Sequence, residues 1–505
     1  MDWSVLGRRE FLQRSALLAG AAAVLGAEQV AAKPDATVRT VARADKLRVA
    51  VVGVRGRGMS HVHGFLKNPE TEVTVICDCD EGVISNAMRT VEKAQGKPPR
   101  FEKDIRRVVA DKEVDIVAIA TPNHWHALMA VWAMEHGKDV YVEKPASHNV
   151  REGAIMTATA RRTQRICQVG TQSRSNPGLR EAIAYVQSGK IGKVELAIGL
   201  CYKLRPSIGD VGRQHGEQQP PSTMDYDLWC GPAPYKLPRR RTKNGTVHYD
   251  WHWFWDYGNG DLGNQGVHEI DKARWGLNQQ SLPRSVFSLG GRFGYIDDGE
   301  TANTQLCVFD YQPQLLIFEV RGLPTKDYKG AKVGNIWVGS EGYVVCPNYS
   351  GGVAYDPSGQ VVAKFSGGSD QYHFDNFVRA VRSRKIEDLH ADIAQGHLSA
   401  ALCHLANISY RLGEEAPIGR PSSLSAPKIV QEFMAAMLEH LKDNKVDVDK
   451  TVGRFGPVLT IDPKTERIVG NQAANALLFR EYRKGFELKD VRANPLKSYS
   501  FPADE

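Results

Sequence analysis

Apolar residues follow two different rhythms along this chain, and the change of rhythm near Lys193 divides it. Between residues 47 and 150, short runs that are apolar at every position alternate with segments of helical spacing. LRVAVVGV, EVTVICDCD, VDIVAIA and KDVYVEKP read as strands covered on both faces. Met59–Lys67 and the run HALMAVWAMEHG, stopped at Gly137, read as helices. Repeated strand–helix–strand units predict an α/β fold with a parallel sheet and helices on both faces. From Lys193 the pattern becomes strand after strand with turn residues between, as in ELAIGLCY, RSVFSLGGRF, TQLCVFDY, QLLIFEVRG and NIWVGSEGYVVC. This predicts an α+β region with a largely antiparallel, open sheet. Helical spacing returns at QYHFDNFVRAVRSRK, HLSAALCHLANISYRLG and IVQEFMAAMLEHLKD, and the stretch from Thr451 is polar with one aromatic-bearing piece.

Composition changes this picture little. The chain has 505 residues, 42% hydrophobic and 24% charged, with a formal net charge of +7. Such a length accommodates two or more sizeable cores. The cluster Arg239, Arg240, Arg241 and Lys243 is short and lacks interleaved aromatics, so it reads as a solvated loop, and no nucleic-acid partner is expected. The eight cysteines form no CxxC pair and read mostly as buried thiols, with no metal site.

The N-terminus adds a location. Arg8 and Arg9 precede Glu10, Phe11 and Leu12, then an apolar, alanine-rich run from Ala16 to Ala27, with Val30 and Ala32 before Lys33. Residues 1–32 thus have the layout of a twin-arginine export signal, with an apolar run too short to span a membrane. Export to the periplasm, and a mature protein without a membrane span, are the expectations.

Chemistry enters at the turn after the first strand, Gly53-Val54-Arg55-Gly56-Arg57-Gly58. A dinucleotide fingerprint wants glycine at the first, third and sixth places. Gly53 and Gly58 fit, whereas Arg55 stands at the third place and glycine is displaced to Gly56. The setting is that of a nucleotide site: a buried strand before, a helix after, and Asp78 twenty residues past Gly58 at the tip of the next strand. A carboxylate there accepts hydrogen bonds from ribose hydroxyls and repels a 2′-phosphate, favouring NAD over NADP.

Three further segments, TPNHWHA (121–127), VEKP (142–145) and GNGDLGNQGVHEIDKARW (258–275), combine with this turn to resemble the Gfo/Idh/MocA family of glucose–fructose oxidoreductase and inositol dehydrogenase. The resemblance covers roughly residues 45–410 in order of elements and is most specific at Glu143-Lys144-Pro145. It implies a Rossmann NAD-binding domain over 45–165, a C-terminal α/β domain over 166–415 that binds substrate and supports oligomer contacts, and an extension over 416–505. It also implies hydride transfer between a nicotinamide and a carbohydrate or polyol carbon, and a dimer or tetramer. Thr121, Pro122, Asn123, His126, Glu143 and Lys144 are then expected to join Gly53, Arg55, Gly56, Arg57, Gly58 and Asp78 around the cofactor.

Oxidising a secondary alcohol needs a proton acceptor within hydrogen-bond reach of the hydroxyl. The resemblance assigns Lys144 to hydroxyl polarisation or proton transfer and His268 to a proton relay. Many dehydrogenases of the family carry an aspartate four residues before that histidine; here the position is Asn264, whose amide takes no proton. Asp261 or Asp271 can compensate, or Asp271 can bind a sugar hydroxyl. Of the dense run from Trp251 to Tyr257, at least half the rings are expected in the core, with one or two, Trp253 and Tyr257 foremost, walling a carbohydrate pocket. His124 and His126, placed in a loop, lack further ligands for a metal.

An exported enzyme has no soluble pool to reoxidise NADH, so its cofactor must be regenerated on the protein. Coupled oxidation and reduction of two sugars does this. So does redox-neutral glycoside cleavage, which some exported members of the family perform. A non-catalytic carbohydrate-binding relative is the third possibility, kept open by Asn264 and Arg55.

Overall fold

The computed structural model describes residues 45–238, 245–420 and 426–490. The expected export signal, 1–32, lies outside the described residues. The first domain is a six-stranded parallel sheet in the order β3-β2-β1-β4-β5-β6. Its strands are β1 (Leu47–Val52), β2 (Thr71–Cys77), β3 (Arg100–Glu102), β4 (Ile116–Ile119), β5 (Asp139–Val142) and β6 (Cys167–Val169). This is the Rossmann strand order, whose reversal between β1 and β4 opens a crevice at the carboxyl ends of the strands. Every residue of β4 and β5 is buried, which is why these runs carry no polar alternation.

The second domain is built on a twelve-stranded mixed sheet. Its centre is β11 (Val333–Gly339), β7 (Val194–Cys201), β10 (Leu315–Arg321), β9 (Thr304–Asp310) and β8 (Ser285–Gly291), with β12 (Gly342–Cys346) beyond β11. The pairings are antiparallel except between β7 and β10, which run parallel. The inner face packs the helices Gly266–Gly276 and Ile393–Arg411 in one core that includes Phe318, Trp337, Ile270 and Leu405.

The described residues after Arg411 contact both domains. Val452–Phe455 joins the large sheet beside β8, pairing on its other side with Glu414–Pro417. The helix Lys428–Asp443 lays Val430, Phe433, Met437 and Leu441, spaced by three or four residues, on the outer face of the sheet against a cluster with Ile198, Leu200, Ile317 and Ile336. Burying each of these four side chains stabilises the arrangement by about 2 kcal/mol. The helix therefore covers part of one face of the sheet in the domain for which the resemblance implied oligomer contacts. Beyond it, Tyr482 donates to Glu152 Oε1 at 2.6 Å, Arg483 donates to the Gly231 carbonyl at 2.8 Å, and Phe486 packs edge-on to Trp125. The extension thus straps the Rossmann domain to the insertion that follows β7. Among the described residues no helix is long and apolar enough to cross a membrane, all eight cysteines are free, and no His/Cys/Asp/Glu group has the geometry of a metal site.

Candidate functional site

A cleft of about 340 Å³ opens at the carboxyl ends of β1, β2, β4 and β5. Its floor is the glycine turn. Gly53 has φ +81°, and a Cβ on Gly58 would sit 1.7 Å from the Gly53 carbonyl oxygen, so the helix Arg57–Lys67 can approach the strand only with glycine there. Gly56 differs: a Cβ would meet nothing within 4 Å, leaving its backbone open to the cleft. The displaced glycine of the fingerprint thus faces space, with the helix N-terminus beside it.

Asp78 lies at the tip of β2. Its Oδ2 accepts from the Val54 amide at 2.9 Å and its Oδ1 from the Asp80 amide at 3.0 Å. Each oxygen accepts one bond from the backbone and so keeps accepting capacity, and Asp78 lines the cleft. Burial raises its pKa to about 6, against the two amides, which lower it. A pair of ribose hydroxyls suits this carboxylate and a 2′-phosphate does not. Two buried polar atoms of cleft-lining residues have no hydrogen-bond partner among the described residues: Arg57 Nη2 and Asn123 Oδ1. Glycine floor, helix N-terminus, carboxylate at the β2 tip and orphaned polar atoms together fit a dinucleotide.

At the other end stands Lys144. Its Nζ donates to the Asn264 carbonyl at 2.9 Å and to Asn264 Oδ1 at 3.3 Å. Burial lowers the Lys144 pKa; Glu143 opposes this, and the nearby Arg57 and Lys203 lower it further. Glu143 itself is 4% exposed and accepts from Arg57 Nε at 2.9 Å and Gln172 Nε2 at 3.1 Å, with His61 Nε2 at 3.2 Å. Burial alone pushes its carboxyl up, but Arg57, His61 and Lys144 outweigh burial and hold it well below the ordinary range. Glu143 is therefore a fixed anion beneath the Lys144 end of the cleft. Arg57, expected at the cofactor, spends Nε on Glu143 at 2.9 Å and Nη1 on Asp370 at 2.8 Å.

His268 lies on the helix Gly266–Gly276, 7% exposed, with Nδ1 buried and unpartnered. Burial, and then Lys144, hold its pKa well below the usual value, so it is neutral. Its ring lies 5.1 Å from that of Tyr349. His124 and His126 begin the helix Asn123–Glu135 rather than standing in a loop. His126 is clamped with Nδ1 2.7 Å from the Pro145 carbonyl oxygen and Nε2 2.8 Å from that of Thr121, and it lines the cleft with Thr121 and Pro122.

Three expected substrate contacts lie elsewhere. Asp271 is 1% exposed and holds Arg174 through two 2.8 Å bonds while accepting from Ser399 at 2.7 Å, so it is buried among protein partners and lines no part of the cleft. Trp253 is 5% exposed beneath Arg205, and Tyr257 is equally buried against Trp229 and His124. Asp261, offered as a compensating carboxylate, is bound by Arg205 at 2.6 and 2.7 Å. From this stretch of the chain His248, Tyr249, Trp251 and His252 line the cleft, the last two stacked at 3.6 Å between centroids. Their segment is a single 3₁₀ turn, Asp250–Trp253, so neither strand nor helix periodicity indicates which rings face the cleft. It closes over the nucleotide floor: Arg55 Nη1 donates to the His248 carbonyl at 3.3 Å, and His248 Nε2 meets Asp80 at 3.2 Å.

Fold and cleft define an NAD-binding Rossmann oxidoreductase fold carrying a second, sheet-based domain. Residues 47–171 match the Gfo/Idh/MocA oxidoreductase family's NAD-binding Rossmann fold, and residues 186–287 match its C-terminal alpha/beta domain. The two matches follow the order of that family's two domains. Among curated relatives, a "Glycosyl hydrolase family 109 protein 2" of Shewanella sp. (strain ANA-3) is 35% identical over 175 residues, and a "Glycosyl hydrolase family 109 protein" of Shewanella pealeana is 36% identical over 180. Each match takes in 32% of this chain and only 38% or 39% of the relative, so the likeness is confined to part of both proteins. Among solved structures, levoglucosan dehydrogenase in complex with NADH and levoglucosan superposes with a TM-score of 0.54 at 17% identity, covering 72% of this chain and 97% of that one. The WlbA dehydrogenase of Bordetella pertussis, in complex with NADH and UDP-GlcNAcA, gives 0.52 at 18%, covering 72% and 96%. At these identities the likeness is one of fold.

Proposed function

We propose that this chain is an exported, periplasmic NAD-dependent oxidoreductase acting on a carbohydrate or polyol hydroxyl, with its cofactor held and recycled on the protein. The observation that carries the reading is one of placement. Lys144 Nζ is held by Asn264 in the same cleft as the glycine floor and Asp78, and His268 is near enough to feel its charge.

A dinucleotide held on the Gly53–Gly58 turn and Asp78 would supply a nicotinamide able to accept a hydride from a carbinol carbon and give it back. The residues of this chain handle the proton. Lys144 Nζ, its pKa lowered by burial, takes the hydroxyl proton in its neutral form and returns it on reduction. Asn264 orients Nζ through two acceptor oxygens but holds no proton itself. His268 Nδ1, buried and unpartnered, is the second proton station. Glu143, pinned by Arg57, His61 and Gln172, stays ionised below Lys144. Tyr249, Trp251 and His252 exclude water from above.

The redox-neutral reading, in which a ring hydroxyl is oxidised transiently so that a glycosidic substituent is eliminated, shares every one of these residue roles. The partial likeness to family 109 glycosyl hydrolases favours it, as does the closure of residues 248–252 over the cofactor floor. The two separate by stoichiometry. Incubated with a sugar panel and no second substrate, the protein is expected to stop after reducing its own NAD, seen at 340 nm, and to turn over only when a second sugar is supplied. Continuous aglycone release from an aryl glycoside without an acceptor would move the assignment to the redox-neutral reaction. Absence of both reactions with every sugar tried, and no NAD on the protein, would defeat both.

A further inference from the structure

A second cavity, of about 750 Å³, lies at the end of the large sheet, on the far side of the Asn264–Gln265 step from the nucleotide cleft. Its walls include Lys203, Asn348 and Tyr349 just after β7 and β12, Lys332 just before β11, and Gln265 at the start of the helix Gly266–Gly276. We propose that this cavity is a substrate subsite for an acidic carbohydrate, whose anionic substituent sits between Lys203 and Lys332 while the reacting hydroxyl faces Lys144 and His268. The inference deepens the proposed function and rests on it for the position of the reacting end.

Continuity is the first argument. Gln265 follows Asn264, the residue that holds Lys144, and its side-chain amide donates to the Tyr349 hydroxyl. The Tyr349 ring in turn lies 5.1 Å from that of His268. The same Gln265 amide group accepts from Lys203 Nζ at 3.4 Å. Lys203 is near enough to Lys144 to depress its proton affinity. One short chain of side chains therefore joins the second cavity to the proposed chemistry.

Charge is the second. Two lysines line the cavity and no aspartate or glutamate does. Among the described residues neither Lys203 nor Lys332 has a carboxylate partner, although surface lysines elsewhere find one, as Lys236 does in Asp256 and Lys97 in Glu72. The Glu269 and Lys272 side chains packed beneath neutralise each other at 3.3 Å, both fully buried. The cavity is thus a region of uncompensated positive charge in a concave wall, where a bound anion gains charge-assisted hydrogen bonds. The half-exposed Tyr349 ring and the Asn348 and Gln265 amides supply an apolar face and neutral polar groups suited to a sugar ring.

The test titrates the NAD-loaded protein calorimetrically with matched pairs: methyl β-D-glucuronide against methyl β-D-glucoside, and methyl α-D-galacturonide against methyl α-D-galactoside. At least one uronide is expected to bind about tenfold more tightly than its neutral partner, the worth of one charge-assisted hydrogen bond. The preference should shrink with added salt and disappear in a Lys203→Met/Lys332→Met double variant that melts at the wild-type temperature. Equal affinities within both pairs, no uronide binding, or a preference that survives the double variant overturns the subsite. NAD content is read on the same samples. Uronide preference in a protein unable to retain NAD would uphold the subsite while the cofactor reading fails, and retained NAD without the preference would do the reverse.

Discussion

The two ends of the main cleft are built by opposite means. At the nucleotide end the backbone does the work: a positive φ at Gly53, a forbidden Cβ at Gly58, an open approach at Gly56, and one carboxylate at the tip of β2. At the reacting end side chains do it, and they come from segments far apart in the chain: Lys144 after β5, Asn264 and His268 before and within one helix, and Tyr249, Trp251 and His252 from the covering turn. Steric constraints written in glycine tolerate almost no substitution. A constellation of side chains tolerates exchange of its members with graded loss.

This difference makes testable claims. The largest effect should come from the nucleotide end. A Gly58→Ala exchange drives a methyl group into the Gly53 carbonyl oxygen, and the displaced turn should weaken NAD binding by about a hundredfold or more, measured by fluorescence titration. Near-native affinity would show that the turn is softer than its geometry implies. Next, Lys144→Met should lower kcat by about 10²–10⁴-fold, the usual worth of a positioned acid–base group, while the protein still carries NAD. Loss of NAD in this variant would mean that the lysine serves the cofactor and not the proton.

Acid sharpens the comparison from below. His124 and His404 are buried with pKa values pushed down to about 3 by burial, and His148 is held well below its usual value by burial and Arg480. The folded state keeps all three neutral while the unfolded chain takes up their protons below about pH 6.5. The stability they contribute is therefore fully present above that pH and is lost on acidification, at up to about 1.4 kcal/mol per pH unit for each histidine. Thermal melts at pH 7, 6 and 5 should show it, and a flat profile would contradict the burial. The smallest effect concerns Asn264. Replacing it with aspartate places a negative charge within hydrogen-bond reach of Lys144, which favours the ammonium. The rising limb of the kcat–pH profile, which reports neutral Lys144, should then move up by about one unit.

The same contrast explains what the sequence made legible. The Rossmann half could be read because a parallel strand buried on both faces is apolar at every position, and because a glycine turn and a strand-tip aspartate are local features. Lys144 stood out through its Glu–Lys–Pro setting. Asp271 and Trp253 were misplaced for a shared reason. Spacing along a helix or a turn tells which residues share a face, but not which neighbour will claim them. Arg174 claims the one and Arg205 covers the other, and both partners are remote in sequence. Tyr349, Lys203 and Lys332 carry no local signal at all, because only the closing of the large sheet brings the ends of β7, β11 and β12 together. The extension was equally opaque: its helix has a plain amphipathic pattern, but nothing in that pattern names the sheet face it covers.

The central claim is that this fold holds its dinucleotide in the cleft and works on it without exchange. The direct measurement is to purify the protein in its mature form with no cofactor added, denature it, and quantify NAD and NADP in the supernatant. The account predicts close to one NAD per chain, and NADP at no more than a small fraction of that because of Asp78. A protein that emerges empty and fails to bind NAD when it is supplied would contradict it.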